Sequence, residues 1–219
     1  MRDTILSNIR QSLNSARALP HLHTPIPLHL DPDRETLIAQ FAAEWRALGG
    51  QFERVRAADA ADRACELLQK LEARRVLMWD EAALPPALTG LKTMLERSGV
   101  TLVPQMIPRD AATRPRAAAA IEAAEAGLTG AEAAIAQVGA VALRSGPGRG
   151  RLASLLVPVH LVFVTPDQFY PTLADWWPRM SAEASNITLI AGPSRTSDIE
   201  RVLTLGVHGP KQAIAICVD

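Results

Sequence analysis

Apolar residues recur along this chain with two different periods. In DRETLIAQFAAEWRAL, residues 33–48, Leu37, Phe41, Trp45 and Leu48 fall three or four apart and share one face of a predicted helix. Gly49-Gly50 ends that helix. Ile5, Leu6, Ile9 and Leu13 repeat the pattern and predict a helix over residues 3–17. Between the two, ALPHLHTPIPLHLDP is rich in proline and aperiodic, so it reads as an extended arm. From residue 51 onward short apolar runs alternate with helical stretches. QFERVR, RVLMWD and VTLVP read as strands, whereas ADAADRACELLQKLEA, PPALTGLKTMLERSG and the Ala-rich PRDAATRPRAAAAIEAAEAG read as helices.

After Gly127 small and β-branched residues dominate. A strand is predicted over Ala136 to Arg144, then a glycine-rich loop SGPGRGR, one helical turn in LASLL, and a strand PVHLVFV that is apolar on both faces and hence buried. A helix is predicted from about Pro166 through DWWPRMSAEA, then a strand NITLIAG, a basic hydroxyl-rich loop, a short helix and a terminal strand AIAICVD. This alternation predicts an α/β fold built on a largely parallel sheet, with residues 1–32 as a helical arm and 33–219 as the folded domain.

Composition narrows the function. Lys plus Arg and Asp plus Glu are equal at 23 each, and aromatics are 4%, which argues against a nucleic-acid binder. Arg109, Arg114 and Arg116 read as a solvated face. The N-terminus lacks the apolar core of a secretory signal, and no run approaches the ~20 apolar residues of a membrane span, so a soluble cytoplasmic protein is expected. Cys65 and Cys217 are far apart and belong to no CxxC or Cys/His cluster; both are expected to be buried, reduced thiols. His21, His23 and His29 sit on the arm without a fixed geometry, so no metal site is assigned.

Two loops carry candidate chemistry. In SGPGRGR, Gly146, Gly148 and Gly150 would let backbone amides approach an anion, and Arg149 and Arg151 would add charge-assisted bonds. The spacing is neither a Rossmann nor a Walker A pattern. In GPSRTSDIE, Ser197 and Glu200 fit a capping box and Asp198 suits the helix dipole, but the cap does not account for Ser194, Arg195 and Thr196. Both loops are expected to leave strands at one crevice and to hold a small carboxylate or phosphate, or to contact another subunit. Glu132 and Asp198 are the acids nearest these loops. His208, between two glycines, is the candidate general acid or base, and His160 reads as a core histidine.

The segments GLTGAEAAIA, SGPGRGRLASLL, VPVHLVFV and GPSRTSDIE…LGVHGP, with the leading DTILSNIRQSL, are similar to the lactate utilisation protein C family, a branch of the LUD-domain (DUF162) proteins. The resemblance implies a three-layer, NagB/RpiA/CoA-transferase-like fold. It also implies a role in oxidising L-lactate to pyruvate beside iron–sulfur partner subunits, with no cofactor bound by this chain. Where the family reads IAETGT, residues 135–140 read IAQVGA, so Gln137 stands in place of a glutamate. An amide cannot act as a carboxylate nucleophile, which argues against CoA transfer. The resemblance, with this departure from it, thus implies an accessory subunit. The alternatives are a stand-alone isomerase- or transferase-like enzyme using His208, Arg195 and Arg149, and an organic-acid-binding regulatory module. Oligomeric state stays open.

Overall fold

Six strands form one sheet in which every neighbouring pair is parallel: β1 (Gln51–Val55), β2 (Arg75–Met78), β3 (Thr101–Leu102), β4 (Ala126–Gly130), β7 (Val159–Val164) and β12 (Gln212–Val218), in the order β1-β12-β7-β4-β2-β3. A second sheet, of order β8-β5-β6-β9, joins β5 (Ala133–Ile135), β6 (Ala140–Ser145), β8 (Phe169–Tyr170) and β9 (Asn186–Ile190). Here β6 runs antiparallel to both β5 and β9. A hairpin pairs β10 (Arg195–Ser197) with β11 (Leu203–Leu205). The computed structural model describes residues 2–15, 32–180, 186–197 and 203–219. The expected Pro-rich arm with His21, His23 and His29, and also Asp198 and Glu200, lie outside the described residues.

The helices are α1 (Arg2–Ser15), α2 (Arg34–Ala47), α3 (Ala60–Lys70), α4 (Leu91–Arg97), α5 (Arg114–Glu122), α6 (Leu152–Leu155) and α7 (Leu173–Trp176). Asp33 caps α2 by accepting from the Thr36 amide at 2.9 Å. The buried face of α2 joins the two sheets. Phe41 stacks on Trp45 at 5.5 Å and meets Phe169 of β8 edge-on at 5.3 Å, while the Trp45 indole donates to the Gln51 carbonyl of β1 at 2.9 Å. Across the parallel sheet, β4 and β7 have no exposed residue, as their unbroken apolar runs require. Helix α6 lies against β4 so closely that a Cβ at position 127 would run into the Ala153 carbonyl, and only Gly127 fits there. Ile5, Leu6 and Ile9 of α1 are exposed. Among the described residues no helix is long and apolar enough to cross a membrane.

Four expected elements differ from the structure. The helix expected over residues 108–127 is confined to Arg114–Glu122, and Ala126 and Gly127 begin the central strand β4. The strand predicted over 136–144 is split, because Ala136–Val138 form a 3-10 turn and Gly139 takes a left-handed conformation (φ 55°) that reverses the chain between β5 and β6. The helix predicted from Pro166 is broken into the short strand β8, the single turn α7 and 3-10 turns at Pro166–Gln168 and Trp177–Arg179; Pro171 and Pro178 interrupt helical pairing. Of the short helix expected after Ser197, residues 198–202 lie outside the described residues, and its end, Leu203–Leu205, is the strand β11. Ser197 pairs with Leu203, and Gly206 (φ 74°) follows a strand rather than capping a helix. The period in Leu203-Thr204-Leu205 is two, as a strand requires. Cys217 is buried as expected, and burial pushes its thiol up to about 12. Cys65 is only half-buried, and its thiol is also raised, chiefly by desolvation.

His160 is the buried imidazole of β7. It shares a hydrogen bond of 2.8 Å with the Thr129 hydroxyl of β4, and its Nδ1 has no partner among the described residues. Burial pushes its pKa from the ordinary 6.5 down to about 3. Below pH 6.5 the unfolded chain therefore takes up a proton that the folded chain refuses until about pH 3. Stability should fall as pH drops through this window, by about 1.4 kcal/mol per pH unit at full slope. Urea midpoints measured from neutral to mildly acidic pH should be less steep in His160→Leu than in the parent. Identical slopes would mean that the folded protein admits the proton.

Candidate functional site

The strands β2, β4 and β7 end side by side, and the residues that follow them build a crevice. Trp79 and residues 82–86 come from the end of β2, residues 130–132 from β4, and Thr165, Asp167 and Gln168 from β7; together with Arg144, Arg149 and Tyr170 they line a hollow of about 410 Å³. After β2 the next strand of the parallel sheet is β3, to one side; after β4 it is β7, to the other. The crevice thus opens at a point where connections diverge, the usual ligand position in open α/β sheets.

Glu132 sits between the two sheets, two residues after the end of β4 and directly before β5. Its amide donates to the Ala142 carbonyl of β6 at 2.8 Å, and its Oε2 accepts from Arg144 Nε at 2.9 Å. Arg149 Nη1 lies 3.9 Å from the same oxygen. All three side chains are about three-quarters buried, with 24%, 28% and 27% exposed for Glu132, Arg144 and Arg149. On the opposite wall Thr165 donates its hydroxyl to Asp167 at 2.5 Å, and Gln168 closes a capping box back to the Thr165 amide at 2.8 Å. The Gln168 amide also donates to the Ala131 carbonyl at 2.7 Å, tying this wall to the Glu132 segment.

The glycine-rich loop is a tight turn pinned to the end of β2. Arg149 N donates to the Gly146 carbonyl at 3.0 Å, Asp80 N to the Gly148 carbonyl at 2.9 Å, Trp79 Nε1 to the Gly150 carbonyl at 3.0 Å, and Gly150 N to Gln105 Oε1 at 2.8 Å. The amides of Arg149 and Gly150 thus already have partners, and what the loop brings to the crevice is the Arg149 side chain. A second hollow of about 360 Å³, lined by Asp80, Ser145, Gly146 and Pro147, shares Arg144 and Arg149 with the first. Arg151 is exposed at the start of α6 and lines neither.

The other expected loop is elsewhere. Ser194 N donates to the Pro210 carbonyl at 2.8 Å, and Lys211 N donates to the Pro158 carbonyl at 2.8 Å, next to the first residues of β12 and β7. The loop therefore lies at the amino ends of the parallel strands. The expectation that both loops face one crevice fails because β9, which leads into Ser194, belongs to the second sheet and runs antiparallel to β6. Arg195 donates to the Leu48 carbonyl at the end of α2, a cation placed where a helix C-terminus favours one. Thr196 is half-buried in β10, and His208 is exposed in the turn before Pro210. The crevice lining contains Arg149 but neither Arg195 nor His208, so the three are not assembled into one site. Among the described residues no group of three or more His, Cys, Asp or Glu could hold a metal ion. Gln137 is exposed on the β5–β6 turn, where its amide donates to the Pro171 carbonyl at 3.0 Å, and it does not line the crevice.

Sequence reasoning singled out Glu132 and Arg149 but missed Arg144, Asp167 and Thr165. Arg144 was read as an ordinary strand residue, and only the β5–β6 register reveals that it faces the Glu132 segment. The loop geometry separates the glycines by role. Gly148 has φ 67°, and a Cβ there would meet the Asp80 side chain, whereas a Cβ on Gly146 meets nothing within 4 Å. Gly148→Ala should therefore cost about 1–2 kcal/mol of stability and Gly146→Ala under about 0.5, compared by chemical denaturation. Equal costs would show that the turn is not held as described.

Comparison with known proteins agrees with this architecture. The LUD domain pattern matches residues 38–218. "Lactate utilization protein C" of Deinococcus radiodurans is 31% identical over 220 residues, covering 98% of this chain and 93% of that protein. The protein of the same name from Halalkalibacterium halodurans is 24% identical over 233 residues, covering 100% and 97%. The crystal structure of a DUF162 family protein from Deinococcus radiodurans superposes with a TM-score of 0.58 at 23% identity, over 86% of this chain and 99% of that one, and shows the same fold. With a match that runs from α2 to the last strand and a 31% identical relative covered over 93% of its length, the chain belongs to the LUD domain family.

Proposed function

We propose that this chain is a subunit of an L-lactate-oxidising system, acting beside iron–sulfur partner proteins and carrying a small-anion crevice rather than a redox centre. The observation that carries this reading is the end-to-end similarity to proteins named for lactate utilisation. The chemistry of the chain is compatible with it. Its two cysteines lie on α3 and at the end of β12, and cluster ligation by four thiolates needs more than one chain can draw from them. Any electron-accepting cluster is therefore assigned to a partner. Gln137 removes the carboxylate that acyl transfer would need, and a covalent CoA mechanism is not part of the proposal.

Purification of the tagged full-length chain from its native cells, grown on L-lactate, tests the reading. Iron–sulfur proteins rich in cysteine should co-purify in near-equal amounts, and lactate-dependent reduction of an acceptor should appear in the complex but not in the isolated chain. Recovery of the chain by itself, including after mild cross-linking, would overturn the subunit reading.

A further inference from the structure

Arg149 is a cation held in the crevice without an acceptor. Its side chain is 27% exposed, and the acidic oxygen beside it, Glu132 Oε2, is 3.9 Å away, beyond the roughly 2.7–3.2 Å of a hydrogen bond. That oxygen is already taken by Arg144 Nε at 2.9 Å. No hydrogen bond from the Arg149 side chain is made among the described residues, so its donors face the hollows free to meet a ligand. Arg149 lines both hollows, so a ligand entering either one meets it.

The surrounding charges define what that ligand can be. Glu132 and Asp167 line the main hollow and Asp80 the second, against Arg144 and Arg149. A dianionic phosphate would bring two further negative charges among three carboxylates, whereas a monocarboxylate brings one and can dock bidentately on a guanidinium. Both arginines approach Glu132 through Oε2, which leaves Oε1 as an acceptor. A carboxylate acceptor placed beside a carboxylate-binding fork selects a ligand that carries a hydroxyl next to its own carboxylate. The volume of about 410 Å³ admits such a small ligand together with ordered water.

We infer that the crevice is a 2-hydroxycarboxylate site, in which Arg149 forks the ligand carboxylate, Glu132 Oε1 accepts the ligand hydroxyl, and Arg144 holds Glu132 in position. The choice of L-lactate as the first probe rests on the proposed function. The residue assignment rests on the crevice alone.

Calorimetric titration of the full-length chain with L-lactate, pyruvate, acetate and inorganic phosphate reads the inference directly. L-Lactate should bind saturably and more tightly than the other three. Arg149→Gln should weaken L-lactate by about tenfold or more, with Arg149→Lys recovering part of the loss because it keeps the charge without the fork. Glu132→Gln should erase the preference for L-lactate over pyruvate, since the hydroxyl loses its anionic acceptor. Melting curves of the ligand-free variants confirm that each is folded before its affinity is compared. Absence of saturable L-lactate binding up to tens of millimolar, tighter binding of phosphate, or an L-lactate affinity unchanged in a folded Arg149→Gln protein would each overturn the site. Such a failure with iron–sulfur partners still co-purifying would remove the site and leave the subunit reading standing.

Discussion

The passage from one sheet to the other takes two residues. β4 ends at Gly130 and β5 begins at Ala133, so Ala131 and Glu132 must leave a strand buried on both faces and enter a second sheet at once. Short connections are held by their backbone bonds, and this one is held on several sides: the Ala131 amide donates to the Phe163 carbonyl at 3.0 Å, its carbonyl accepts from Gln168 at 2.7 Å, and the Glu132 amide donates to Ala142 at 2.8 Å. An acidic side chain at such a junction is fixed in place by the fold. Arg144 and Arg149 reach it because β6 and the turn after it are registered to β5, which starts one residue later. The crevice is therefore a product of how the sheets are joined.

That junction also explains which features were legible in the sequence. Most of the parallel core can be read directly, because β7 and β12 are largely apolar runs and β1, β2 and β3 alternate with helices of period 3.6; the central strand β4 cannot, because its start continues an Ala-rich helical stretch. Glu132 and Arg149 stood out as an acid near a glycine-rich loop and as a cation within it. The second sheet is legible only in part: the runs that become β6 and β9 read as strands, but their pairing in a separate sheet does not. Its strands are two to six residues long, two of them adjoin prolines or a turn, and β8 was concealed inside a stretch that reads as helix. Missing that sheet had a consequence: β9 was assigned the direction of a parallel strand, and Ser194, Arg195 and Thr196 were brought to the wrong end of the molecule.

Charge at the two ends of the sheet follows separate logics. At the amino end, Arg195 answers the exposed carbonyls where α2 stops, a local requirement met by many helices. Such an arginine is stabilising, and it needs no ligand. At the carboxyl end, Arg149 has no comparable structural partner, and its nearest acid is shared with a better-placed arginine. The two residues look equivalent in sequence, each basic, each in a loop with glycine, proline and serine. Only hydrogen-bond accounting separates a cation that completes the fold from one that the fold leaves available.

The position of Gln137 bears on the same distinction. It lies five residues beyond Glu132, on an exposed turn against α2 and the segment after β8, while Glu132 faces the crevice. Replacing a carboxylate by an amide at that turn changes the charge of a surface, and the lining of the crevice is untouched by it. A chain that lacks an acid at position 137 can therefore keep a charged crevice intact, because the acid that matters to Arg144 and Arg149 is the one at the junction of the sheets. A carboxylate at the turn and a carboxylate in the crevice are separable in this fold, and this chain has the second.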